Sequence, residues 1–229
     1  SKEKVIKCSD ETSVAFPVRL VPGRAYDFVV WADVVTAVDA GDNHYFTEDG
    51  LTNITLNGEW NAMDETRDAF TANLVVEKYA GTSTLEMTLK RPFAKVRVIA
   101  TDVNDIAELD LEAKKTTVAY TGPIATSYNA FEQKVAGTEN RAEFTFDIAA
   151  YGDSKDGKLV LYTDYIFADT DQCTVKFSLT SREESGREIN TVYFNTDIPV
   201  QRNMLTTLTG NVMTEGDNVK VEIKDKFYD

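Results

Sequence analysis

Basic residues, histidine, cysteine and helix-forming stretches are all scarce in this chain of 229 residues, and each shortage removes a class of function. With 24 Lys and Arg against 38 Asp and Glu, the formal net charge is -14, so most of the surface repels a nucleic-acid backbone or an anionic membrane face. Nucleic acid is therefore not expected as a partner. No run approaches the roughly 20 apolar residues of a spanning helix. Residues 1–20 lack the charged-then-apolar pattern of a secretory signal, so a signal or anchor, if there is one, is expected upstream of Ser1.

The two cysteines, Cys8 and Cys173, stand 165 positions apart with no CxxC and no metal-ligand spacing. A long-range disulfide and two buried free thiols both remain open, and the VIKC setting of Cys8 lacks the small residues of a lipid-attachment site. The single histidine, His44, has no GxSxG elbow beside it and sits in a turn-like stretch, VDAGDNHYFTEDG, which argues against a Ser-His-Asp hydrolase. The same stretch carries Asp39, Asp42, Asn43, Glu48 and Asp49, hard oxygen donors without EF-hand spacing, read as a solvated acidic loop. Adjacent acids such as Glu183 and Glu184 read as solubilising charge, not as a glycosidase pair. No Gly-rich loop precedes a helix, so no nucleotide cradle, no cofactor, no metal and no enzymatic activity are expected.

What the chain has is β-sheet chemistry. Apolar residues make up 42%, and 12 Phe with 10 Tyr suffice for a substantial core. Strand-like runs occupy Ser13–Leu20, Tyr26–Val35, Leu51–Leu56, Phe70–Lys78, Thr84–Leu89, Ala94–Thr101, Thr116–Tyr120, Ala142–Ile148, Lys158–Phe167, Cys173–Leu179, Glu188–Phe194 and Met204–Met213, most with period-two alternation. Turn dipeptides such as Pro22-Gly23, Asn57-Gly58 and Ser185-Gly186 separate them. Helix is expected only at Asn104–Leu111, with Asp102 as cap, and one short turn at Asp64–Ala69.

About thirteen strands exceed the seven to nine of one sandwich. An all-β fold of two tandem β-sandwich domains is therefore expected, residues 1–90 and 91–229, joined where Pro92 marks a strand end in LKRPFAKVRV. No Ser/Gly linker intervenes, which favours domains packed end to end. The last strand is amphipathic: Val219, Val221 and Ile223 fall on one face opposite Lys220, Glu222 and Lys224. Trp31 reads as core, whereas Trp60, following a turn in NGEWNAM, is the candidate for stacking on a glycan. Arg91 and Arg202 read as residues that position a turn or pair with a carboxylate near the junction.

Four segments carry a resemblance. YDFVVWADVV at 26–35, RDAFTA at 67–72, LKRPFAKVRV at 89–98 and PVQRNMLTTLTGNVMT at 199–214 resemble, in order, the fimbrillin-like pilus subunits of Bacteroidales. The resemblance implies two transthyretin-like sandwiches, export as a lipoprotein, location at the cell surface or in a fimbria, and a structural or adhesive role. It also implies strand donation between subunits, in which a trypsin-like cut opens a groove that a neighbour's strand fills. On this chain the donor would be Val219, Val221 and Ile223 with Phe227 and Tyr228 as anchors. The groove would be lined by Ala15, Val18, Leu20, Phe28, Val30 and Ala32, and Arg19 and Arg24 match the protease. Partners would be other pilus subunits, with a host glycan or protein as a further one, and the outer membrane would be reached only through an upstream lipid anchor. The alternative is a monomeric surface lipoprotein that binds glycan or host protein and pairs its last strand within its own sheet.

Overall fold

Alternating Val, Thr, Phe and Tyr residues become strands wherever one face finds a core. The computed structural model describes residues 15–34, 44–47, 50–58, 62–81, 84–140, 143–148, 156–214 and 217–227. These hold fourteen strands: β1 (Tyr26–Asp33), β2 (Tyr45–Phe46), β3 (Ile54–Leu56), β4 (Ala69–Val76), β5 (Phe93–Ala100), β6 (Lys115–Tyr120), β7 (Pro123–Asn129), β8 (Lys134–Asn140), β9 (Phe144–Asp147), β10 (Leu159–Phe167), β11 (Cys173–Arg182), β12 (Glu188–Val200), β13 (Leu205–Asn211) and β14 (Asp217–Lys224). One helix, α1 (Val103–Glu108), and a 3₁₀ turn at Glu65–Arg67 complete the described elements. The protein is all-β.

Four sheets form, ordered β1-β4, β10-β5-β13-β14, β12-β11-β6-β9 and β2-β3-β7-β8. The sheet containing β5 shares in two cores. Its Ala94, Val96, Val98 and Ala100 belong with Val118, Phe177, Leu179 and Val192 of the β11-containing sheet in the larger core. Phe93, Tyr165 and Phe167 alternate out of that core and join Tyr45, Ile54, Tyr128 and Phe227 in a second one. Phe93 stacks on Phe167 with ring centroids 4.7 Å apart. β13 pairs with β5 in parallel and with β14 antiparallel, so the sheet is mixed. β3 pairs with β7 at Ile54↔Tyr128, so one ladder joins residues from either side of the expected junction at Lys90–Phe93.

Several local expectations are met with different bounds, and some are not met. Residues 15–20 and 84–89 form no strand, and residues 13 and 14 lie outside the described set. The second stretch contributes only at its end, where Lys90 bridges Thr71. β7 and β8 occupy a stretch with no expected strand, and β12 continues through Pro199 to Val200. Asp102 precedes α1 without capping it. Its Oδ2 instead accepts the Met213 and Thr214 amides at 2.9 and 2.8 Å and the Thr214 hydroxyl at 2.8 Å, tying the helix start to the end of β13. At Asp64 a cap does form, accepting from the Thr66 amide at 2.9 Å.

Candidate functional site

The four segments that carry the family resemblance meet in space. β1 pairs with β4 from Tyr26↔Val76 to Asp33↔Ala69, joining the first segment to the second. Asp68, just before β4, receives the Arg91 guanidinium: Nε lies 2.7 and 2.9 Å from the two carboxylate oxygens and Nη2 lies 2.7 Å from one of them. The Arg91 amide donates to Asn203 Oδ1 at 3.2 Å, and Arg202 Nε donates to the Arg91 carbonyl at 3.0 Å. The Asn203 amide donates to the Phe93 carbonyl at 2.6 Å. Arg91 and Arg202 thus take the positioning roles their sequence setting suggests.

Around this meeting point lies an ionic cluster. Lys95, fully buried on β5, places Nζ 2.7 and 2.6 Å from the two Glu65 oxygens, and the Tyr165 hydroxyl donates to the same carboxylate. Burial pushes the Lys95 ammonium below the ordinary lysine range, and the Glu65 carboxylate pulls the other way. Arg67 faces Asp164 at 3.5 Å with both side chains buried. Asp164 Oδ2 also lies 2.7 Å from the Tyr162 hydroxyl and 2.9 Å from that of Tyr120. Burial, with the Asp164 charge adding to it, holds the Tyr162 phenol well above its ordinary range. Three carboxylates thus answer three cations, and for the buried members, Lys95, Arg67 and Asp164, losing the partner is costly.

The terminal strand lies at a sheet edge. β14 pairs along β13 from Leu205↔Lys224 to Asn211↔Asp217, and no other described strand joins it. Val219 packs against the larger core, while Val221 and Ile223 remain exposed, at 40% and 37%. On the strand's other face Lys220 and Lys224 flank Glu222 at 2.5 and 2.9 Å and hold its carboxyl down at about 2. Charges of this kind discourage edge-to-edge pairing. Phe227, three residues past the strand, turns back into the second core and is 4% exposed.

The β1–β4 ribbon presents two unlike faces. Val29 and Trp31 pack on the second core, with Trp31 edge-on to Tyr45 at 5.3 Å. The opposite face is built of cross-strand pairs Tyr26↔Val76, Phe28↔Leu74, Val30↔Ala72 and Ala32↔Phe70, all apolar or aromatic. Ala72 is buried and Ala32 exposed, and the other six are half-buried. Among the described residues β1 enters no ladder but this one. Of the expected groove residues, Phe28 and Val30 share that face, Leu20 is half-buried, and Ala15 and Val18 are exposed in the non-strand segment before it.

Other singled-out residues carry less. His44 Nε2 lies 3.0 Å from Thr66 Oγ1, which itself donates to Asp64 at 2.5 Å. The hydroxyl, not the imidazole, is therefore central, which is not the order of a hydrolytic triad. Cys173 is a free and exposed thiol, not a buried one. Cys8, Trp60, Tyr228 and the acids Asp39, Asp42, Glu48 and Asp49 lie outside the described residues. Among the described residues no three His, Cys, Asp or Glu side chains gather to hold a metal, and no helix is long and apolar enough to cross a membrane. The ionic cluster escaped the sequence reading because Lys95 and Asp164 sit singly in strands while Glu65, Arg67, Asp68 and Arg91 come from a 3₁₀ turn and from residues just before β4 and β5.

Three solved structures from Bacteroides are similar to the chain. A candidate cell-adhesion protein of Bacteroides uniformis is 12% identical, with a TM-score of 0.47 over 89% of this chain and 73% of that one. A candidate adhesin of Bacteroides thetaiotaomicron is 12% identical, with a TM-score of 0.41 over 90% and 77%. One from Bacteroides ovatus is 9% identical, with a TM-score of 0.37 over 75% and 62%. None of these TM-scores establishes a shared fold. No curated protein matches the chain. A family model does match it, over residues 1–229, and the chain belongs to that family, described as a family of unknown function (DUF6562).

Proposed function

We propose that the protein is a non-enzymatic structural or adhesive subunit of the bacterial cell surface, assembling with other subunits by strand addition. The β1–β4 ribbon carries this reading. Two strands alone are marginal in water, yet here the face away from the second core is apolar or aromatic at all eight positions and one edge is free of other described strands. An added strand would gain main-chain hydrogen bonds along β1 and place alternate side chains on that face. β14, short, amphipathic and at an edge, is the proposed donor, with Val221 and Ile223 as its apolar contacts. Export as a lipoprotein, with anchorage at the outer membrane through an upstream lipid, belongs to the same proposal.

A second reading has an observation in its favour. β14 is paired along its own β13, as in a monomeric surface protein that binds glycan or host protein. Deleting residues 217–229 and imaging surface polymers on cells separates the two. Loss of polymer with retention of folded subunit is the expected result. Polymer of unchanged length would remove β14 as donor, and a wild type that stays monomeric while binding a glycan array through Trp60 would favour the second reading.

A further inference from the structure

We infer that Arg91 couples the C-terminal strand to the β1–β4 ribbon, so that loosening either one loosens the other. The inference rests on the proposed function only in giving the coupling a use; the contacts stand without it. β14 has little of its own to hold it: one ladder, two exposed apolar side chains and surface ion pairs that contribute little. Its fixed points are its ends. Val219 enters the larger core at the start, and Phe227 enters the second core beyond the finish, with Asp225 and Lys226 exposed between.

The seat of Phe227 is made by Tyr165, whose ring centroid is 5.4 Å away, by Lys95 Nζ at 5.7 Å and by the Arg91 guanidinium at 4.5 Å. That same guanidinium lies 4.6 Å from the ring of Phe70, on the outward face of β4, and binds Asp68 at the entry to β4. One planar cation thus touches the anchor of the terminal strand, the residue just before β4 and a ring on β4. Arginine suits the task because its plane takes rings while its edge keeps the carboxylate. If Phe227 leaves, Arg91 loses one ring and the Lys95–Glu65 pair is uncovered. If an incoming strand shifts Phe70, the Phe227 seat is altered from the other side. Coupling of this kind is reciprocal, so a loosened ribbon and an unseated tail favour each other.

Amide hydrogen exchange on the intact monomer tests this without polymer formation, so failure of the coupling is distinguishable from failure of the pilus reading. Phe227→Ala is expected to speed exchange roughly tenfold in β14 and several-fold in β4 and β1, since local openings are read by exchange. Phe70→Ala is expected to speed exchange in β14 in return. Ile223→Ser serves as the control: it alters only the exposed face of β14, keeps Phe227 seated against Arg91, and leaves β4 unchanged. Arg91→Lys keeps the charge and loses the plane, and is expected to separate the two responses even where Arg91→Ala fails to fold. Acceleration confined to β14 in Phe227→Ala, or unchanged exchange in β14 in Phe70→Ala, overturns the coupling.

Discussion

The ammonium of Lys95, with none of its side chain exposed, lies 2.6 and 2.7 Å from the two oxygens of Glu65, whose own side chain is 36% exposed. The pair is therefore asymmetric: one partner has water as an alternative and the other has none. Glu65→Gln is expected to cost about 3 kcal/mol, the low end of what breaking a buried pair costs. Lys95→Met, which removes the buried charge and keeps the volume, is expected to cost under ~1 kcal/mol. Urea unfolding midpoints compare the two, and equal losses would show that the ammonium reaches solvent after all.

Tyr128 is buried on β7, and its hydroxyl has no hydrogen-bond partner among the described residues. Tyr128→Phe is expected to gain about 1 kcal/mol near neutral pH, because a desolvated group with no compensation is removed. A loss would place an ordered water on that hydroxyl.

The same residue sets an alkaline limit. Burial pushes the Tyr128 phenol up to about 12, with the Arg202 charge opposing. The folded value lies above the unfolded one, so the neutral phenol's contribution is fully present below pH 10 and is lost as pH rises from there toward about 12. Lys95 works in the opposite direction: its folded value is depressed, so the cost of burying its charge is relieved as pH rises toward its ordinary 10.5. Stability measured from pH 9 to 11.5, as an order-of-magnitude window, is expected to fall more steeply in wild type than in Tyr128→Phe, and less steeply in wild type than in Lys95→Met.

Gly210 on β13 marks how closely the terminal strand approaches. A Cβ there would stand 2.8 Å from Val219 Cα and 2.9 Å from the Asn218 carbonyl oxygen, both backbone atoms that cannot turn aside. Gly210→Ala is expected to cost about 1–3 kcal/mol, the range for overpacking, and to raise exchange at the start of β14 first. Unchanged exchange there would mean that the strand start yields freely.

Much of the fold was readable in the residues because alternation survives wherever a strand has one wet face, as in β11, where Val175, Phe177 and Leu179 are buried and Lys176 between them is exposed. It fails where context overrules the local pattern. Gly122-Pro123 reads as a turn, yet Pro123 opens β7, a position where a missing amide costs no ladder bond. Leu85, Met87 and Leu89 alternate well, but only Lys90 reaches a partner, so the segment stays outside the ladders. The ionic cluster was hidden for a different reason. Lys95 in AKVRV looks like the solvent side of a strand, and the second core, folded over from β2, β3, β7 and Phe227, turns that side inward, whereas Asp164 in YTDYIF is covered from the larger core, where the Tyr120 and Tyr162 hydroxyls meet it.

The place of β13 between β5 and β14 also sets the order of assembly in time. Leu205 pairs with Lys95 across 110 positions, so the middle of a central sheet waits for a segment made long after β5. Long-range parallel pairing of this sort is slow to form. Until β13 arrives, β5 has an unfilled side, and the chain emerging from the ribosome or an export channel is without a finished core. Completion of the native state is thereby deferred until β13 has been made, an interval in which holding chaperones and proteases compete for the chain.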